Sequence, residues 1–435
     1  MTAPAAFRAL RHRNYRLFFA GQFFSLVGTW MQSVAQSWLV YRLTGSAVLL
    51  GLVGFAGQIP VFLVAPLGGA IADRHRRHRI LLTTQSASMV LAFVLAGLTL
   101  SGRIAVWEVF VLASSLGLVN AFDIPARQAF VPEMVGREDL GNAIALNSSM
   151  FNGARIVGPA IAGVLVAAVG EGWCFLGNAV SYLAVLAGLL AMRLAPSSLR
   201  PPTTSALASV LEGFAFVART PPIRALLLML GMVSLTGMPY AVLMPVFADR
   251  VLHGGPGTLG LLMSSSGVGA LAGALTLAAR RGMKGLSLGL AIAAAGFGAS
   301  LVLFSFSRAV PLSMLLLVPV GFSMMTAMAS SNTLIQSMVP DAMRGRVMAV
   351  YSMMFMGMAP FGALVAGAAA DRIGAPLTVT VCGVLCMTWA AFFASRLPRL
   401  RPAMKAMILA RRAEGAAEDA LAASLEDVGT GPEAH

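Results

Sequence analysis

Long apolar runs broken by short polar intervals recur along the whole chain. They fall at about 15–41, 47–72, 80–101, 106–126, 142–168 and 173–193, then at about 222–248, 256–279, 285–307, 310–338, 345–370 and 375–396. Each has roughly the twenty residues that a helix needs to cross the hydrocarbon layer. In lipid every backbone N–H and C=O must be satisfied within the protein, which leaves helices for runs of this length. The pattern therefore predicts an all-α polytopic membrane protein with twelve transmembrane helices. One interval differs from the rest. Between Pro201-Pro202 and Pro221-Pro222, the residues Leu207, Val210, Leu211, Phe214 and Val217 recur at helical spacing among polar positions. That is an amphipathic helix lying on a membrane surface. The chain so divides into a basic arm (1–14), a six-span half (15–193), a linker (194–221), a second six-span half (222–397) and a tail (398–435), whose basic, partly apolar first part suits a short surface helix.

An internal repeat supports the division. Val131-Pro132-Glu133 precedes the fifth span and Gly158-Pro159 lies within it; Val339-Pro340-Asp341 precedes the eleventh span and Ala359-Pro360 lies within it. Two parallel six-helix halves of this kind are a recurring design of secondary transporters.

Composition narrows the class further. Hydrophobic residues make up 58% of the chain and charged residues 11%, against about 25% charged in a soluble domain. The net charge of +14 belongs to short loops between apolar runs, so it reports topology and contact with anionic lipids, not nucleic acid. With twelve spans, 25 of the 31 basic residues fall on one side and five on the other. Basic loops stay inside, so both termini are predicted to be cytoplasmic. The arginines of the arm precede a full-length span, which predicts insertion without cleavage. The three cysteines (Cys174, Cys382, Cys386) have no histidine near them, and they predict packing, with no metal and no cofactor. Phosphate-loop glycines and histidine–carboxylate clusters within spans are both missing from the sequence, so neither an ATP-driven pump nor an enzyme is expected.

The sharpest motif is Gly69-Ala-Ile-Ala-Asp73-Arg74-His-Arg76-Arg77-His-Arg79, where the second apolar run ends in charge. It resembles the signature between spans two and three of the major facilitator superfamily, although Arg76 stands where that pattern has its second glycine. Gly158-Pro159-Ala160-Ile161-Ala162-Gly163 is similar to the antiporter motif of that superfamily's exporters. The run Asp123-Ile124-Pro125-Ala126-Arg127-Gln128 looks like the branch that holds siderophore exporters and macrolide and tetracycline efflux pumps. The resemblance covers residues 10 to 397. It implies the major facilitator fold, with two pseudo-symmetric six-helix bundles, in the inner membrane of a bacterium. It also implies a monomer exporting drug-like or siderophore-like molecules by proton antiport. A lipid (lysophospholipid) carrier and a metabolite facilitator of the same fold are the alternatives.

The resemblance also gives the charged rim a mechanical reading. Asp73 would face the first turn of span eleven near Arg344, and Asp123 would pair with Arg77 or Arg74. With Gly69 and Arg127, these residues form a candidate gating latch on the cytoplasmic side. A polar stripe on span one (Gln22, Ser25, Thr29, Gln32, Gln36), a parallel one on span ten (Ser323, Thr326, Ser330), and Asn152 with Arg155 on span five are candidate cavity residues. The stripes equally suit interhelical hydrogen bonding. Arg155, the one basic residue well inside a span, is either bonded to backbone carbonyls or Asn120, or placed to attract anionic substrate groups or tune a nearby acid. Few acids lie near the spans, with Glu108 and Asp371 at outer ends and Asp73 and Asp123 at the inner rim; Glu108, then Asp123, are the candidate proton carriers.

Overall fold

The computed structural model describes residues 5–194, 206–280, 282 and 285–429. Among these residues the chain is helical throughout, with no strand. The helices are α1 (Arg13–Thr44), α2 (Ala47–Arg74), α3 (Arg77–Leu100), α4 (Val106–Gly136), α5 (Glu138–Val169) and α6 (Glu171–Leu190), the linker helix α7 (Ala206–Arg219), then α8 (Pro221–Val251), α9 (Gly255–Ala279), α10 (Leu286–Phe306), α11 (Val310–Met338), α12 (Asp341–Ile373) and α13 (Ala375–Gly429). Eleven are long and apolar enough to cross a membrane. The twelfth, α1, has 32 residues, and its three glutamines lower its hydropathy.

Local chemistry explains the breaks. Gly45 takes a left-handed φ of 64° to end α1, and the Ser46 side chain accepts from the Leu49 N–H to start α2. Between α2 and α3 the turn is made at His75 and Arg76 in extended conformation (φ −121° and −62°), so the missing second glycine leaves the turn intact. The stretch expected as a loop between spans four and five is instead helical. Phe130, Val131, Met134 and Val135 are buried there, and a single glycine, Gly136 at φ 71°, separates α4 from α5. The tail also differs from the expectation of a short surface helix, because α13 continues without a break to Gly429. Leu400, Met407 and Ile408 pack on the core around buried Met404. In the linker, α7 has Val217 buried while Leu211 and Phe214 face outward.

Packing follows the two halves. In the first, α1 lies on α5 and α6, and α3 on α4 and α6; in the second, α9 lies on α11, and α10 on α11 and α13. The halves meet along two seams, α2 with α12 and α5 with α9. Glycines allow the close approaches. A Cβ added at Gly260 would lie 2.7 Å from the Gly163 Cα, and one at Gly51 would lie 2.5 Å from the Ala363 carbonyl oxygen.

Candidate functional site

The two ends of the molecule differ. At the end away from the arginine-rich loops the halves are joined. The Asp371 carboxylate, at the end of α12, accepts from the Ser46 hydroxyl (2.8 Å) and from the N–H groups of Ala47 (2.8 Å) and Val48 (3.3 Å). These are free donors of the first turn of α2, where the helix dipole favours an anion. Tyr41 donates to Asp249 (2.9 Å) and Arg250 to the Gly45 carbonyl (2.8 Å), tying α1 to α8. Beneath them Phe55 and Phe62 stack edge-on with Phe361. Sequence reasoning placed Asp371 at the outer end of its span and gave it no role. Ser46, a helix-starting residue at the same level, was the available clue.

Towards the arginine-rich end the α2–α12 seam parts into a cavity of about 610 Å³. Its walls come from α2 (Gln58, Phe62, Pro66), the end of α4 (Ile124, Gln128) and α12 (Ser352, Met353, Met356), with Ser209 and Val210 of the linker helix at its edge. Gly69, Asp73 and Arg74 line its rim. A Cβ on Gly69 would meet nothing within 4 Å, consistent with open space.

The latch residues pair within their own halves here. Asp73 is 3.6 Å from Arg77, and Arg77 is 2.5 Å from Glu133. Asp123 pairs with Arg127 (3.3 Å), not with Arg77 or Arg74, and it accepts from Thr84 (2.8 Å) and Gln85 (2.8 Å). Arg344 pairs with Asp341 (2.7 Å). Arg346 reaches Glu212 of the linker helix (2.6 Å), and Arg411 of α13 reaches Asp341. Among the described residues, no ion pair joins α2 to α12 at this end.

The polar stripes divide. Gln22, Ser25 and Gln32 are buried; Asn178 of α6 donates to Gln32 (2.6 Å), so this face binds α6 and lies off the cavity. Thr29 remains exposed and Gln36 half-buried. On α11, Ser323 is turned towards Gly296 of α10 and Thr326 towards Gly273 of α9. Ser330 is buried, and among the described residues neither its hydroxyl nor that of Thr326 has a partner. Asn152 is buried and donates to its own helix at the Ser148 carbonyl (2.8 Å). Among the described residues no carbonyl is bonded to Arg155; its guanidinium lies over the Trp30 ring, 5.6 Å from the centroid. A central arginine costs roughly 2.5–3.5 kcal/mol on insertion scales, and a cation–π contact returns ~0.5–2 kcal/mol.

The antiporter-motif residues divide between α1 and the other seam. Gly158 lies against Trp30, with a Cβ there only 2.6 Å from the Trp30 Cβ, and the Pro159 carbonyl and Gly163 touch Gly260 of α9. The two carboxyl candidates part company. Glu108 accepts from the Ala105 N–H (2.8 Å) and so caps its own helix. Asp123 is buried inside the first half.

The family model described as transmembrane secretion effector matches residues 4–425. The chain is 28% identical to the staphyloferrin A transporter of Staphylococcus aureus over 89% of its length and 97% of that protein. It is 30% identical to the multidrug efflux pump Tap of Mycolicibacterium fortuitum over 86% of its length and 93% of that protein. Among solved structures, a bacterial homologue of the lysosomal transporter Spinster, in an inward-facing and unoccupied conformation, superposes with a TM-score of 0.66 at 14% identity, over 92% of this chain and 98% of that one. This is a multi-pass membrane transporter of small molecules and not an enzyme, and the chain belongs to the transmembrane secretion effector family of the major facilitator superfamily.

Proposed function

We propose that the protein exports small amphipathic molecules, drug-like or siderophore-like, across a bacterial inner membrane by alternating access coupled to proton antiport. One observation carries the reading: a cavity of about 610 Å³ opens between the halves at the arginine-rich end while the opposite end is joined. The excess of basic loops at the open end makes that end cytoplasmic, with both termini there. The cavity then receives its cargo from the cytoplasm or the inner leaflet. Its walls mix methionines with a few amides and hydroxyls, which suits cargo of varied shape.

Closing the cavity would bring Asp73 towards the first turn of α12 near Arg344, completing the latch on the cytoplasmic side. Asp123 is the favoured proton carrier, since a buried carboxylate near that end can exchange with water as the halves rock. Glu108 is set aside because its helix cap already employs it.

The test uses inside-out vesicles with an acidified interior and a dye that reports the pH gradient. Hydrophobic drugs, siderophores, sugars and lysophospholipids are added in turn. Collapse of the gradient by drugs or siderophores is expected, and Asp123→Asn should abolish it while leaving downhill counterflow intact. Dissipation by lysophospholipids alone would replace this reading with lipid transport. Uphill movement by Asp123→Asn with an unaltered pH response would remove Asp123 as carrier.

A further inference from the structure

Arg155 occupies a place that ion pairing within the protein does not explain. In α5 (Glu138–Val169) it stands seventeen residues from one end and fourteen from the other, about 25 Å and 21 Å at the helical rise. It also sits on the α5–α9 seam, since a Cβ at Gly267 would meet the Arg155 carbonyl oxygen at 3.0 Å. Its side chain is half-buried and covers one face of Trp30, whose edge meets Phe151 at 5.6 Å between ring centroids.

The acids of the membrane-spanning region are used elsewhere. Asp123 is taken by Arg127, Thr84 and Gln85, Glu171 by Arg42, Asp249 by Tyr41, Asp371 by the start of α2 and Glu108 by its own cap. Among the described residues no carboxylate lies within ion-pair distance of Arg155, and no hydrogen bond holds its guanidinium. The middle of the seam therefore carries a positive charge with a planar set of N–H donors, backed by an aromatic shelf. A guanidinium fork matches a carboxylate with two parallel hydrogen bonds, and in a low-dielectric setting such a bond is stronger than at a surface.

We propose that Arg155, which stands on the α5–α9 seam apart from the lining of the α2–α12 cavity, is an anion-binding residue farther along the transport path, and that the cargo is an organic carboxylate whose apolar or aromatic portion lies against Trp30 and Phe151. This rests on the transporter reading above and adds to it the charge class of the cargo. The inference separates this protein from exporters of lipophilic cations, which would place an acid, not an arginine, at mid-membrane depth.

The experiment uses the full chain in nanodiscs, with Trp38, Trp107, Trp173 and Trp389 changed to Phe so that Trp30 is the sole fluorophore. Phenylsuccinate, a dicarboxylate, and its uncharged diamide are titrated at neutral pH. The expected result is a Trp30 response to phenylsuccinate at a concentration at least tenfold below that for the diamide. Arg155→Gln should erase the difference. Arg155→Lys, which keeps the charge but not the fork, should retain only part of it, and it stands in if the glutamine variant does not fold. Equal titration of acid and diamide by the parent protein, or an unchanged preference in Arg155→Gln, would overturn the proposal. Efflux from proteoliposomes separates the two readings. Ethidium efflux that is equal in parent and Arg155→Gln, with no preference for the acid, leaves transport standing and removes the anion site. A selective Trp30 response without efflux of any compound keeps the anion site and removes export.

Discussion

Asp371 meets α2 at its first turn, where backbone N–H groups have no partners of their own. An anion in that position is worth about 0.3–1 kcal/mol at an exposed site. Asp371→Asn should therefore weaken the joined end and shift the balance of conformations roughly two- to fivefold towards opening there. Alkylation of a cysteine introduced on the α2–α12 seam would read the shift, and unchanged labelling would contradict it. At this scale the sequence was only partly legible. The spacing of Gln22, Ser25 and Gln32 puts them on one helical face, but period alone does not say which neighbour that face meets. Asn178, 146 residues further on, answers that by donating to Gln32. Asp123 was legible as a special acid, while its partners Thr84 and Gln85 were not, because they stand on a helix with no motif of its own.

The helices were the most legible level, since hydrophobic length fixes them directly. What the pattern missed are the parts of helices that leave the membrane. Around Phe130 and Met134 the chain remains helical because that face is buried against the first half, and only the positive φ of Gly136 interrupts it. The same holds for α13 beyond Pro398, whose basic residues suggested a separate surface segment. Met404 is 4% exposed there, so the tail contributes to the core of the second half. Met404→Ala should lower the stability of the purified protein by about 2–5 kcal/mol, as large-to-small core changes do. A melt followed by size-exclusion fluorescence would show the loss as a fall in midpoint, and an unshifted midpoint would mean that the tail is not anchored. α12 is gripped from two sides at its start, by the linker helix through Glu212 and Arg346 and by the tail through Arg411 and Asp341.

For the molecule as a whole, the two seams behave differently. The α5–α9 seam stays in contact from Gly163–Gly260 down to Arg155–Gly267, while the α2–α12 seam parts below Phe62. Rocking that closes the cavity is thus concentrated on the α2–α12 side, where Asp73 waits at the rim. Asp73→Asn should leave the conformation open at the arginine-rich end unaffected and depopulate its opposite. Reactivity of a cysteine placed at Ser352 inside the cavity would then rise, with transport falling at least several-fold. Equal reactivity and full transport would show that Asp73 plays no part in closing.

The use of backbone donors by Asp371 also limits how this joint can be rewired. An ion pair between side chains away from helix ends, such as Arg346 with Glu212, has no built-in polarity, so exchanging its charges (Arg346→Glu with Glu212→Arg) should restore what either single change removes. The start of α2 cannot be inverted, because the N–H groups at Ala47 and Val48 and the dipole behind them belong to the main chain. A compensating exchange of Asp371→Lys with Ser46→Asp should therefore fail to rescue. That end of the transporter is held by a contact whose sign is fixed by the direction in which the chain runs.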